Sequence, residues 1–127
     1  MTMNAEIIGA IDARLDKLVS LDVGGRGVEH LFEAAVARQG GSLVGAAAQS
    51  LLAVPDGSTV FITTGSVSRA WISPGIGEND GPAGAAAVIR ALAIAKRVHC
   101  VLIAEDTLLA GMKAILTSAG LTVLPFE

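Results

Sequence analysis

From Gly77 the chain reads Gly77-Glu78-Asn79-Asp80-Gly81-Pro82-Ala83-Gly84, two carboxylates and an amide followed by a proline and small residues that open an alanine-rich segment. Carboxylates at a cleft rim transfer protons, ligate metals or grip an ammonium group. Glycines just ahead of a helix add free backbone N–H groups, the positive end of the helix dipole and room for a ligand to approach the backbone. Glu78 and Asp80 are therefore the candidate catalytic residues, with Asn79, Gly81 and Gly84 as candidate ligand contacts. A cap on the helix, stabilised by its dipole, accounts for Asp80 equally well.

Three other clusters bear on function. Thr63-Thr64-Gly65-Ser66 puts hydroxyls and a permissive backbone at the end of an apolar run, where α/β sheets bind ligands, although threonine is also common in strands for packing reasons. Gly24-Gly25-Arg26-Gly27 offers an anion site through Arg26 and the mouth of the next helix, or is a plain turn between helices. It follows a helix and lacks the G-x-G-x-x-G spacing, so it is not a dinucleotide fingerprint. Glu105-Asp106 reads more readily as a solvated strand end with a helix cap than as a catalytic pair. His30 and His99 have no acid or cysteine partner at metal spacing, and His99, in an apolar run, is expected to be a hydrogen-bonded core residue. No zinc site is predicted, no cofactor is expected, and nothing in the pattern supports a divalent metal. Trp71 lines a pocket or packs its loop down.

These residues must be positioned by elements that the periodicity outlines. Asn4 caps a helix with apolar Ile7, Ile8, Ile11, Leu15, Leu18 and Val19 at helical spacing. A second helix starts at Val28 and closes at Gly40-Gly41, and a third runs from a Ser42 cap to Ala53, stopped by Pro55-Asp56-Gly57-Ser58. Thr59 to Thr64 is β-branched and apolar on both faces, which predicts a strand buried inside a parallel sheet. Residues 66 to 80 form a long Ser-, Gly- and Pro-rich connection of the kind that often carries function. Pro82 at the first helical position, capped by Asp80 or Gly81, begins a helix to about Lys96. His99 to Ala104 is a second strand, Thr107 to Ala119 a helix ended by Gly120, and Leu121 to Leu124 a third strand. The order ααα-βαβαβ predicts an α/β fold, a three-layer Rossmann-like parallel sheet whose right-handed crossovers bring residues 63–80 and Glu105-Asp106 to one rim. The sheet is small and looks unfinished where the chain stops.

The composition narrows the class. A chain of 127 residues fits one domain, residues 1–127. It is 52% hydrophobic but 3% aromatic, with mean hydropathy +0.62, so small side chains dominate its packing. Charged residues make up 17%, against about a quarter in typical soluble domains; an oligomeric interface is expected to cover the surplus apolar surface. The net charge is −3 and the basic residues are scattered, which disfavours nucleic acid. The lone Cys100 closes no intrachain disulfide and fits a small core hydrophobe in a reducing, cytoplasmic setting. Every apolar run is cut before the roughly 18 residues needed to span a bilayer, and no signal pattern is present, so a soluble protein is expected.

Asp22-Val23-Gly24-Gly25-Arg26-Gly27-Val28, Val60-Phe61-Ile62-Thr63-Thr64-Gly65 and the Glu-x-Asp-Gly-Pro-x-Gly-Ala segment from Glu78 to Ala85 resemble, in this order, the D-glutamate cyclase-like C-terminal domain family. The resemblance runs through nearly the whole chain and implies an α/β fold and, by analogy with D-glutamate cyclase, intramolecular dehydration of D-glutamate to 5-oxo-D-proline. It implies a small-molecule carboxylate or cyclic amide as ligand. Ser66 stands where the family usually has an aromatic and Asn79 where it has threonine, which points to a different substrate. The family domain is roughly twice this length, so a fragment or one subunit of a split enzyme, its sheet completed by a second polypeptide, is the expectation. The alternative reading is a non-catalytic small-anion-binding or assembly subunit of a hetero-oligomer.

Overall fold

Local signals decide where each helix begins. The computed structural model describes residues 4–67, 71–73, 75–78 and 80–124, and the chain divides into two compact units, Met1–Ala53 and Val54–Glu127.

In the first unit, Asn4 caps α1 (Ala5–Val19) by accepting the Glu6 amide at 3.1 Å, satisfying one of the donors that a helix start leaves unpaired. Gly27 and Gly40, both with positive φ, bracket α2 (Val28–Gln39). Ser42 caps α3 (Leu43–Leu52), its hydroxyl accepting the Gly45 amide at 2.9 Å. All three helices stand where the periodicity predicts them. Asp16 of α1 is 5% exposed and accepts the Val44 amide at 2.9 Å, so a carboxylate sits at the positive end of α3. That amide, foremost among its partners, holds the Asp16 carboxyl below the usual range. Among the described residues of this unit no apolar side chain is buried; Leu18 and Val19 of α1 are 64% and 68% exposed.

The second unit holds the core. β1 (Thr59–Thr63) and β2 (His99–Ile103) form a parallel pair with Thr59 opposite His99 and Thr63 opposite Ile103. The ladder continues by one bond at each end, His99 N–H to the Ser58 carbonyl at 2.9 Å and Thr64 N–H to that of Ile103 at 3.1 Å. α4 (Asp80–Ala95) connects them, and a 3-10 turn (Asp106–Leu108) leads into α5 (Leu109–Ser118). Ala86, Ile89 and Leu116 form the buried centre, and Ile62, Cys100 and Leu102 pack on it from the sheet. Burial pushes the Cys100 thiol up, which suits its reading as a small apolar group. Gly120, at φ +78°, closes α5 as predicted.

Four expectations are corrected. Leu121 to Leu124 form no strand; among the described residues the sheet has two strands. Leu121 and Val123 keep the alternation of a strand because they pack on the Ala86–Leu116 cluster, but no ladder accompanies it. The strands are not buried on both faces: β1 alternates, with Phe61 63% exposed on the face away from the core. The α/β class therefore stands, while among the described residues a three-layer sandwich does not. α4 begins at Asp80 rather than Pro82, so Asp80 and Gly81 lie within the helix and neither is its cap. His99 is exposed at the start of β2 and is not a core residue; within the run it is Cys100 to Leu102 that are half-buried.

Candidate functional site at the strand ends

The parallel register brings the carboxyl ends of β1 and β2 side by side, which is where parallel sheets leave free backbone groups and room for a ligand. Thr63, Thr64, Gly65 and Ser66 from the first strand's exit and Ile103, Ala104 and Glu105 from the second's line an open cavity of about 440 Å³. Gly65 turns the chain there at φ +82°, and a Cβ on it would overlap the Met112 methyl of α5. Only glycine meets both demands without strain.

The acidic turn is stitched to this rim. Val67 and Gly77 form an antiparallel bridge, and the Glu78 amide donates to the Ser66 carbonyl at 3.1 Å. Gly77 lies so close to α5's approach that a Cβ would stand 2.8 Å from a Leu108 methyl. Gly81 lies against Thr64: its Cβ would stand 2.5 Å from the threonine Oγ1. The mouth of α4 thus adjoins the tip of β1, as the crossover geometry predicts. Pro82, which has no N–H to offer, is buried in the first turn, while Glu78, Asp80, Gly81 and Gly84 are exposed.

The predicted residues therefore fall into three groups. Thr63, Thr64, Gly65 and Ser66 meet at the cavity. Glu78, Asp80 and Gly81 stand in or beside the turn joined to that rim, though the cavity walls themselves do not include them, and Gly84 has no neighbour within 4 Å of where its Cβ would be. Asn79 lies outside the described residues.

Arg26 belongs to the first unit. There Asp22 accepts the amides of Arg26, Gly27 and Val28 at 2.9, 2.7 and 3.2 Å, with Gly25 and Gly27 both at positive φ. The Arg26 amide, foremost, keeps the Asp22 carboxyl below the usual range. The chain's own carboxylate fills the mouth of α2, leaving the Arg26 guanidinium as that loop's cationic group.

Glu105 stands on the rim that the crossover predicts, exposed and at the cap of the 3-10 turn. Its Oε1 accepts the Val67 amide at 3.1 Å, so it clasps the loop leaving β1 while lining the cavity. The available signal was register: Ile103 pairs with Thr63, so the residue two beyond the one strand meets the residues just beyond the other. Trp71 is 82% exposed. Among the described residues no three of His, Cys, Asp and Glu gather as a metal site, and no helix is long and apolar enough to cross a membrane.

No curated protein and no solved structure matches the chain. The family described as D-glutamate cyclase-like, C-terminal, matches residues 15–126, a span that takes in α2, the strand exits, the acidic turn and α5. The chain belongs to the D-glutamate cyclase-like C-terminal family.

Proposed function

We propose that the chain is a D-glutamate cyclase-like enzyme, or one subunit of such an enzyme, acting on an amino-acid carboxylate or its cyclic amide. The observation that carries the reading is the apposition of Gly81 on Thr64 beside the cavity at the strand ends, in a chain that belongs to this family. In ring closure the substrate amine loses a proton and bonds to the side-chain carboxyl carbon, a C–O bond breaks, and water leaves. Cyclic-amide hydrolysis is the same path reversed.

The tasks are then to orient the amine, to exchange its proton and to stabilise the oxyanion at the carboxyl carbon. Thr63, Thr64, Gly65 and Ser66 orient the substrate. Asp80 or Glu78 exchanges protons with the amine, and Asn79 is a substrate contact. The first-turn amides and dipole of α4, with Gly81 and Gly84 allowing close approach, hold the oxyanion or a carboxylate. Asp80→Asn, with its fold checked by circular dichroism, is expected to abolish interconversion of D-glutamate and 5-oxo-D-proline in a chiral chromatographic assay. Full retention removes Asp80 from the mechanism.

The exposed apolar side chains of α1 and the two-stranded sheet favour a second reading, a non-catalytic small-anion-binding or assembly subunit. Under either reading the chain works in an oligomer, in a reducing cytoplasmic setting; under the split-enzyme reading a second polypeptide extends the sheet toward three layers. Light scattering and mass spectrometry of co-purifying chains separate the two: a lone inactive homo-oligomer supports the binding subunit, and a second polypeptide whose addition brings turnover supports the split enzyme.

A further inference from the structure

Glu105 stands apart from the acids of the turn. Among the described residues that line the cavity it is the one ionisable side chain; its companions are the hydroxyls of Thr63, Thr64 and Ser66, a glycine, and the small apolar wall of Ile103 and Ala104. The Val67 amide holds its Oε1 at 3.1 Å. A carboxylate has about four lone-pair sites, so one backbone donor leaves most of its accepting capacity unspent. A wall with one carboxylate, several hydroxyl oxygens and no cation among its described residues is electrostatically matched to a positively charged donor and mismatched to an anion.

We infer that Glu105 is the ammonium-recognition residue of this cavity and selects ligands bearing a protonated primary amine. Such a group is compact and carries three donors, which the Glu105 carboxylate and neighbouring hydroxyls share, and charge-assisted hydrogen bonds are about twice as strong as neutral ones. The inference rests on the reading that the site takes an amino acid. It adds that the amine enters between the strand ends, leaving the ligand's carboxylate to the mouth of α4 beside Thr64. Glu105 is a binding residue here, distinct from the proton-exchanging acids of the turn.

The test is a titration of the isotope-labelled full chain with D-glutamate, with glutarate, which lacks the amine, and with ethylammonium, following the amide resonances of Thr64, Gly65 and Ser66. Glu105→Gln keeps an acceptor for the Val67 amide and removes the charge. Both amine ligands are expected to shift the three amides in the wild type and to bind about two- to fivefold more weakly to Glu105→Gln, the range for an exposed carboxylate, with glutarate affinity unchanged. Equal affinity of amine ligands for the two proteins, or no shift of these amides by either amine ligand, overturns the inference. If Glu105→Gln loses its fold, wild type alone decides: ethanol shifting these amides as strongly as ethylammonium overturns it. Amine binding lost in the variant, with no turnover by the wild type either alone or with its co-purifying chains, leaves the inference standing and removes the cyclase reading. Turnover with undiminished amine affinity in the variant does the reverse.

Discussion

Replacing Gly81 by alanine probes the contact between the mouth of α4 and the tip of β1, and Gly84 in the same helix supplies the control. A Cβ at Gly81 would stand 2.5 Å from Thr64 Oγ1 and 4.0 Å from the Gly65 nitrogen, whereas one at Gly84 meets nothing within 4 Å. Both changes gain helix propensity, at most about 1 kcal/mol and less in a first turn. At position 84 nothing opposes that gain, so Gly84→Ala is expected to be neutral or stabilising by up to about 1 kcal/mol. At position 81 the new methyl must separate from the threonine oxygen by roughly an ångström to reach ordinary contact distance. Forced movement of this kind costs about 1–3 kcal/mol, which cancels or exceeds the propensity gain. Rotation of the Thr64 side chain relieves part of the overlap, but it swings the hydroxyl away from its place at the cavity. The two variants should therefore differ by about 1–3 kcal/mol. In thermal melts followed by circular dichroism that is about 4 °C for each kcal/mol in a chain of this size, with Gly81→Ala the lower. If Gly81→Ala melts at or above Gly84→Ala, the helix mouth does not abut the strand tip, and the juxtaposition that supports the enzymatic reading is gone.

Gly65→Ala meets a left-handed backbone at φ +82° as well as the Met112 methyl, and is expected to cost about 1–3 kcal/mol from the backbone conformation alone; a melting temperature equal to wild type would contradict the turn geometry. Asp16 and Asp22 both have folded pKa values below their ordinary ones, through the Val44 and Arg26 amides respectively. Their stabilisation is therefore present above the unfolded carboxylate pKa and is lost as the pH falls through the lower folded values. Asp22→Ala should accordingly melt below wild type at neutral pH, with the gap closing on acidification below the ordinary carboxylate range. A gap that stays constant with pH would show that the carboxylate charge is not what holds the α2 mouth.

The helices were legible because their determinants are local. The Asn4 and Ser42 caps, the glycine stops at Gly40 and Gly120, and the apolar periodicity each act within a turn or two, and α1 to α3 stand where these signals put them. The two strands and their parallel pairing were legible for a related reason, since a β-branched run, a helix and a second such run admit chiefly one handed crossover. That crossover also implied that the acidic turn would reach the strand ends.

What the sequence by itself determined, then, is the identity and order of the helices and of the first two strands, the family, and the rim on which Thr63 to Ser66 and the acidic turn meet. Tertiary structure alone decided the rest. Leu121 to Leu124 has the composition of a strand, but a strand also requires a hydrogen-bonding neighbour, and these residues bury Leu121 and Val123 on the α4–α5 core without one. Phe61 is apolar yet exposed, because only one face of the sheet is covered by helices of its own unit. Glu105 is the solvated strand-end cap that its sequence predicts, but its bond to the Val67 amide came only with the pairing of Thr63 with Ile103. Each of these outcomes depends on which residues distant in sequence become neighbours, and that choice is made by packing, where the position of one partner is undefined until the other is in place.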